Sequence, residues 1–152
     1  MREENVVINT FLHKKRLCVI VKTGIGYYCA YAQTKLNISY SDGDDYNISP
    51  QSIISCHGGV TYSGKLFGFK DVNFFGMDFA HSGDHMELVG HECIECKYRH
   101  CHKWNLEEVN EETKKLANEI INYERKYTKL LKIIENTKRR IKQIKKTKEV
   151  KA

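Results

Sequence analysis

The spacing of apolar and polar positions changes twice along the chain. Leu17-Cys18-Val19-Ile20-Val21 is a run of β-formers, and Tyr27-Tyr28-Cys29-Ala30-Tyr31-Ala32 is a second one. Gly24-Ile25-Gly26 between them is a turn signal, so residues 17–34 read as a β-hairpin. Residues 37–50 are polar around Ser41-Asp42-Gly43-Asp44-Asp45 and read as an exposed loop. Two further strands are predicted, Gly59 to Phe69 and Val72 to Phe79, dense in Tyr and Phe and punctuated by glycines. Residues 81–103 show little periodicity, and there is no internal repeat.

The last third follows a different period. Leu106, Val109, Thr113, Leu116, Ile120, Tyr123, Tyr127, Leu130, Ile134, Thr137, Ile141 and Ile144 recur at alternating steps of three and four, the seam of a heptad helix. Asn105 is placed to cap it, Glu108 to complete a capping box, and Trp104 with Val109 to form a hydrophobic staple. The expected fold is therefore α+β: a small antiparallel β-sheet domain over residues 1–103, then a long C-terminal coiled-coil-like helix over residues 105–148. A helix that long outreaches so small a body. Its distal apolar positions call for a partner helix, most simply a homodimer through residues 106–144.

Charge sharpens this division. The formal net charge is +6, but residues 138–152 carry eight bases against the single acid Glu149, so the rest of the chain is almost neutral. Lys138, Arg139, Arg140, Lys142, Lys145 and Lys146 form a basic helix end suited to a polyanion such as nucleic acid. No aromatic side chain interleaves those bases as a stacking platform would require. The composition, 41% hydrophobic and 29% charged, is that of an ordinary globular protein. No apolar run approaches the ~18 residues of a membrane span, so no membrane partner is expected. The acidic start, Met1-Arg2-Glu3-Glu4, does not look like a signal peptide, and a cytoplasmic location is expected. In that compartment the six cysteines are thiols or metal ligands rather than disulfides.

Two groups of residues carry candidate chemistry. In the first, His57-Gly58-Gly59 with Thr61 and Tyr62, and Asp78 with His81, Gly83 and Asp84, set polar groups beside glycines at strand ends. Paired strands would bring His57, Tyr62, Asp78, His81 and Asp84 to one pocket. There the imidazoles could move protons or hold a metal, and the carboxylates could orient them. The second is Cys93-x2-Cys96 with Cys101, His91 and His102, a knuckle spacing with the thiolate and imidazole donors that zinc prefers. Cys56 beside His57 suggests a nucleophile and its base, but neighbours in a strand point to opposite faces.

The segments Gly26-Tyr27-Tyr28-Cys29-Ala30-Tyr31, His57-Gly58-Gly59-Val60-Thr61-Tyr62-Ser63-Gly64, Phe75-Gly76-Met77-Asp78-Phe79-Ala80-His81-Ser82-Gly83-Asp84 and Trp104-Asn105-Leu106-Glu107-Glu108-Val109 carry a resemblance. Over residues 24–121 the chain resembles a family of small phage-encoded proteins. These share an HGG-[LV]-T-Y-[SA]-G segment, a G-F-D-x-A-H-x-G-D segment and a helix after Trp. The Cys/His cluster at 91–102 and the extension after Ile121 lie outside that pattern. The resemblance implies that His57, Gly58, Gly59, Thr61, Tyr62, Asp78, His81, Gly83 and Asp84 line a pocket. It also implies a role in phage–host conflict, such as an anti-CRISPR or other counter-defence inhibitor. Such a protein would bind a host defence protein, a CRISPR ribonucleoprotein or a nucleotide signal, and Asp42, Asp44 and Asp45 could face basic grooves. The alternative is a small hydrolase or transferase acting on a nucleotide or other phosphorylated ligand through the His/Asp pocket. A third reading is a zinc-stabilised DNA-binding dimer. The sequence leaves open whether any reaction is catalysed.

Overall fold

The computed structural model describes residues 4–36, 53–86 and 100–150. Five strands, β1 (Val6–His13), β2 (Arg16–Lys22), β3 (Tyr28–Thr34), β4 (Tyr62–Lys65) and β5 (Asn73–Asp78), form one antiparallel sheet in the order β1-β2-β3-β5-β4. One long helix, α1 (Leu106–Val150), follows. The fold is therefore α+β, as expected. The loop centred on Asp42, Asp44 and Asp45 lies outside the described residues.

The expected hairpin is β2–β3, turned by Thr23, whose side chain and backbone bond the amide and carbonyl of Tyr27. The strand ahead of it, β1, is an element the apolar pattern does not announce. It pairs with β2 through a two-residue turn of Lys14 and Lys15, with φ of 47° and 62°. Both are left-handed, where the usual residues are Asn and Gly. β4 and β5 fall within the predicted segments but are shorter, because Leu66–Val72 is a run of turns and not strand.

Strand alternation puts Cys18, Ile20, Ala30, Ala32, Phe75 and Met77 on the face that meets α1, whose Val109, Leu116, Ala117, Ile120 and Tyr123 complete the core. Val19 and Phe74, buried as fully, belong to the opposite face. One polar group is sunk into the helix–sheet contact. Arg16 and Glu124 form a buried ion pair, and Glu124 Oε1 also accepts hydrogen bonds from Thr34 Oγ1 (2.9 Å) and the Lys35 amide (2.7 Å). It fixes where α1 crosses the sheet.

The helix starts as its caps require. Asn105 Oδ1 accepts from the Glu108 amide and Glu108 Oε2 from the Asn105 amide, both at 3.0 Å, which closes the capping box. The seam then divides. Val109, Thr113, Leu116, Ile120 and Tyr123 are buried, whereas Leu130, Ile134, Ile141 and Ile144 are exposed, as is every described side chain from Thr128 to Thr147. The first half of the heptad pattern is thus satisfied by the chain's own sheet. Among the described residues no helix is long and apolar enough to cross a membrane.

Candidate functional site

Two loops and the root of α1 meet at one end of the sheet. The loop before β4 makes a tight turn, with the Gly59 amide on Cys56 O, and presents His57. The loop after β5 turns at Gly83, with the Asp84 amide on His81 O, and presents His81 and Asp84. Residues 83–85 then pair with His102, through His102 N on Gly83 O and His85 N on His102 O, which brings Trp104 alongside.

Asp84 is the centre of the arrangement. It is only 4% exposed, and both its oxygens are engaged. Oδ2 accepts from His57 Nε2 at 2.8 Å and from the His81 amide at 2.9 Å; Oδ1 accepts from the Trp104 indole at 2.7 Å. Burial alone would raise this carboxyl, but the bonds from Trp104, His57 and the His81 amide outweigh it and hold it below its ordinary value. His57 is sandwiched, stacked on Phe79 (5.0 Å between centroids) with Trp104 edge-on at 4.7 Å. The loop rings are therefore fixed by the core and by the helix root together.

His81 is held differently. Its ring lies across the backbone of Gly58: a Cβ on Gly58 would come within 1.9–2.3 Å of three ring atoms. Gly58 also has φ of +61°. No other residue type combines that conformation with that clearance, which is the physical content of the first glycine after His57. His81 Nδ1 stands 3.5 Å from Asp84 Oδ2 and 3.7 Å from Asp78 Oδ1, yet it is buried with no hydrogen-bond partner. The ligand atoms of His57, His81 and Asp84 lie within 4.8 Å of one another, a group that could hold a metal ion. Three donors at ~2.0–2.1 Å from a tetrahedral ion sit ~3.3 Å apart, so small side-chain adjustments would close these three around one.

The structure thus brings together His57, Gly58, His81, Gly83 and Asp84, with Asp78 at the margin. It does not bring in Tyr62, whose ring packs on Tyr31 at 5.3 Å and whose hydroxyl donates to Lys65 O. Tyr62 lies opposite Gly76 on β5, before the strand reaches the loop that carries His81. Thr61 contributes a backbone bond to Gly76 O, and Gly59 completes the turn. Trp104 is the site residue that the periodicity assigns only to helix packing. Its place directly before the N-cap is the signal that an indole N–H would sit at the loop junction. Cys56 is no nucleophile: burial, only partly offset by a Gly59 backbone bond, pushes its thiol up to about 11.

Of the cysteine-rich cluster, His91, Cys93 and Cys96 lie outside the described residues. Cys101 is a half-buried free thiol, and His102 pairs with Glu108 at 3.3 Å and packs on Trp104. Lys138, Arg139, Arg140, Lys142, Lys145 and Lys146 are exposed on the distal half of α1. No protein-family model matches this chain, and neither a curated protein nor a solved structure is similar to it.

Proposed function

We propose that the chain is a small zinc-dependent hydrolase acting on a phosphate ester, with His57, His81 and Asp84 as the metal ligands. One observation carries the reading: His81 Nδ1 is buried and unpartnered beside a carboxylate that already orients His57. A buried ring nitrogen without a partner is costly, and a cation shared with His57 and Asp84 supplies one. Two imidazoles and one carboxylate are donors that suit zinc rather than magnesium or calcium. Three protein ligands leave a fourth position for water, the arrangement of catalytic rather than structural zinc. Two neutral imidazoles and one carboxylate also leave the ion a net positive charge, which favours an anionic substrate.

The test is metal content and turnover of the full chain against bis(p-nitrophenyl) phosphate. His81→Ala should lose one zinc per chain and the activity together, while Cys93→Ser with Cys96→Ser should keep both. Zinc that stays with His81→Ala and leaves with the cysteine pair would assign the metal elsewhere and end the proposal.

A second reading is that the chain binds without cutting, as a counter-defence inhibitor. What favours it is the distal half of α1, where the side chains from Thr128 to Thr147 are all exposed, apolar ones included, and so available to a partner. On that reading His81→Ala leaves target binding intact, and truncation after Tyr127 abolishes it.

A further inference from the structure

The opposite end of the body holds a second constellation, independent of the metal site. A cavity of about 270 Å³ opens between the β1–β2 turn, the residue after β3 and the α1 face that follows Asn118. Lys14, Lys15, Arg16, Lys35 and Arg125 line it, with the amide of Asn122. Among the described residues the acid close by is Glu124, and it is already bound by Arg16, Thr34 and the Lys35 amide. Lys14, Lys15, Lys35 and Arg125 therefore border one concavity with no carboxylate of the described residues left over to neutralise them.

Two details show that this is more than chance crowding of lysines. Arg16 is only 6% exposed, and while its Nη2 meets Glu124, its Nη1 is buried with no hydrogen-bond partner. Guanidinium N–H groups in such a place require an acceptor, and because Arg16 lines the cavity a small shift of its side chain would turn this one to an oxyanion there. The turn is the second detail. Lys14 and Lys15 both hold left-handed conformations that cost a side-chain-bearing residue stability, where Asn-Gly would be relaxed. Strain retained against an easy remedy marks a functional position, and what these two residues add is charge at the cavity mouth.

We propose that this cavity binds the di- or triphosphate group of a small ligand. Phosphate oxygens match the donors present: a buried guanidinium fork, ammonium groups and side-chain amides. The lining contains no aromatic ring, so nothing is provided to stack a base, and recognition falls on the phosphates. A concave site of this size, at the small end of the usual ligand pockets, suits one compact anion better than the open strip a nucleic-acid backbone follows. Asn122 lies 17 residues along the helix from Asn105, or ~26 Å, so the anion would not reach the metal site.

Calorimetry of the full chain with inorganic pyrophosphate tests this. The informative variant is Lys14→Asn with Lys15→Gly, because relaxing the turn raises the melting temperature while removing two cations. The expected result is a more stable protein that binds pyrophosphate at least tenfold more weakly. Lys65→Gln with Lys70→Gln, exposed at the other edge of the sheet, removes the same charge and should change affinity less than twofold. Orthophosphate should bind at least tenfold more weakly than pyrophosphate. Absence of binding at millimolar pyrophosphate overturns the proposal. So does equal weakening in both variants, which would mean diffuse charge, or no weakening in either, which would place the anion on the histidine cluster. A single-stranded oligonucleotide that binds through Lys14 and Lys15 where pyrophosphate does not would replace the small ligand by a nucleic acid.

Discussion

Replacing Gly58 with alanine, and comparing it with the same change at Gly59, isolates the contact that seats His81. At Gly58 the new methyl would lie 1.9 Å from His81 Cε1, 2.1 Å from Nε2 and 2.3 Å from Nδ1, whereas at Gly59 it would meet nothing within 4 Å. Both glycines have positive φ, +61° and +87°, so both substitutions carry a similar backbone cost of ~1–2 kcal/mol. In a chain of this length that lowers the melting temperature by a few degrees. Only Gly58→Ala must also move the imidazole. Ordinary contact begins at 3.4 Å, so the ring has to retreat by the difference from 1.9 Å, about 1.5 Å. Metal–ligand distances tolerate ~0.2 Å, so His81 is lost as a ligand. The loss should exceed the ~10–100-fold that removing an outer-shell partner costs. Titration of metal-free protein with zinc, alongside thermal melts, reads both effects. Similar melts with a collapse of zinc affinity in Gly58→Ala alone is the expected outcome. Equal zinc affinity in the two variants would refute the claim that Gly58 exists to seat His81.

Three further outcomes follow from the same geometry. The depressed Asp84 carboxyl contributes stability that is complete above the ordinary value of 3.8 and is lost as the pH falls through its lower folded value; Asp84→Asn should flatten the acid limb of a stability–pH profile. Trp104→Phe removes the indole donor from Asp84 Oδ1 and should cost ~1.5–3 kcal/mol by urea denaturation, with the acid limb shifting to higher pH. Glu124→Ala leaves Arg16 buried and uncompensated, at a cost of ~3–5 kcal/mol in the same assay; a cost below 1 kcal/mol would mean that water reaches the pair.

The parts of the fold legible in the sequence are those fixed by local chemistry. The β2–β3 hairpin announces itself by its β-formers and glycine turn, and α1 by its capping box and three-four spacing. β1 is silent for two reasons. Its turn residues, Lys14 and Lys15, carry no turn signal, and Val6, Val7, Ile8 and Leu12 stay exposed while Asn9 and His13 are half-buried, so its burial does not follow the apolar residues. The Arg16–Glu124 pair joins residues 108 apart, a distance at which charge patterns say nothing about partners. In the candidate site, His57, His81 and Asp84 were readable because glycines beside strand ends mark places where backbone and ring approach closely. Tyr62 was misleading for the same reason: Ser63-Gly64 follows it, but strand register turns it toward Tyr31. The cavity at the opposite end is invisible in the sequence, because five cations from three separate segments converge only in three dimensions.

The helix is rooted beside the His57–His81–Asp84 cluster and anchored by Glu124, but from Thr128 to Thr147 every side chain is exposed. Most of a protein helix's stability comes from packing of its apolar face, and isolated helices shorter than ~12–15 residues are marginal in water even when alanine-rich, which this end, without a single alanine from Thr128 to Val150, is not. In a solitary chain the protruding end would therefore unwind well before the body does. Far-UV ellipticity would decline gradually while the fluorescence of Trp104, the sole tryptophan, still reported an intact root. Whatever docks on that end would close the gap between the two signals, so a pair of spectroscopic melting curves becomes a detector for its partner.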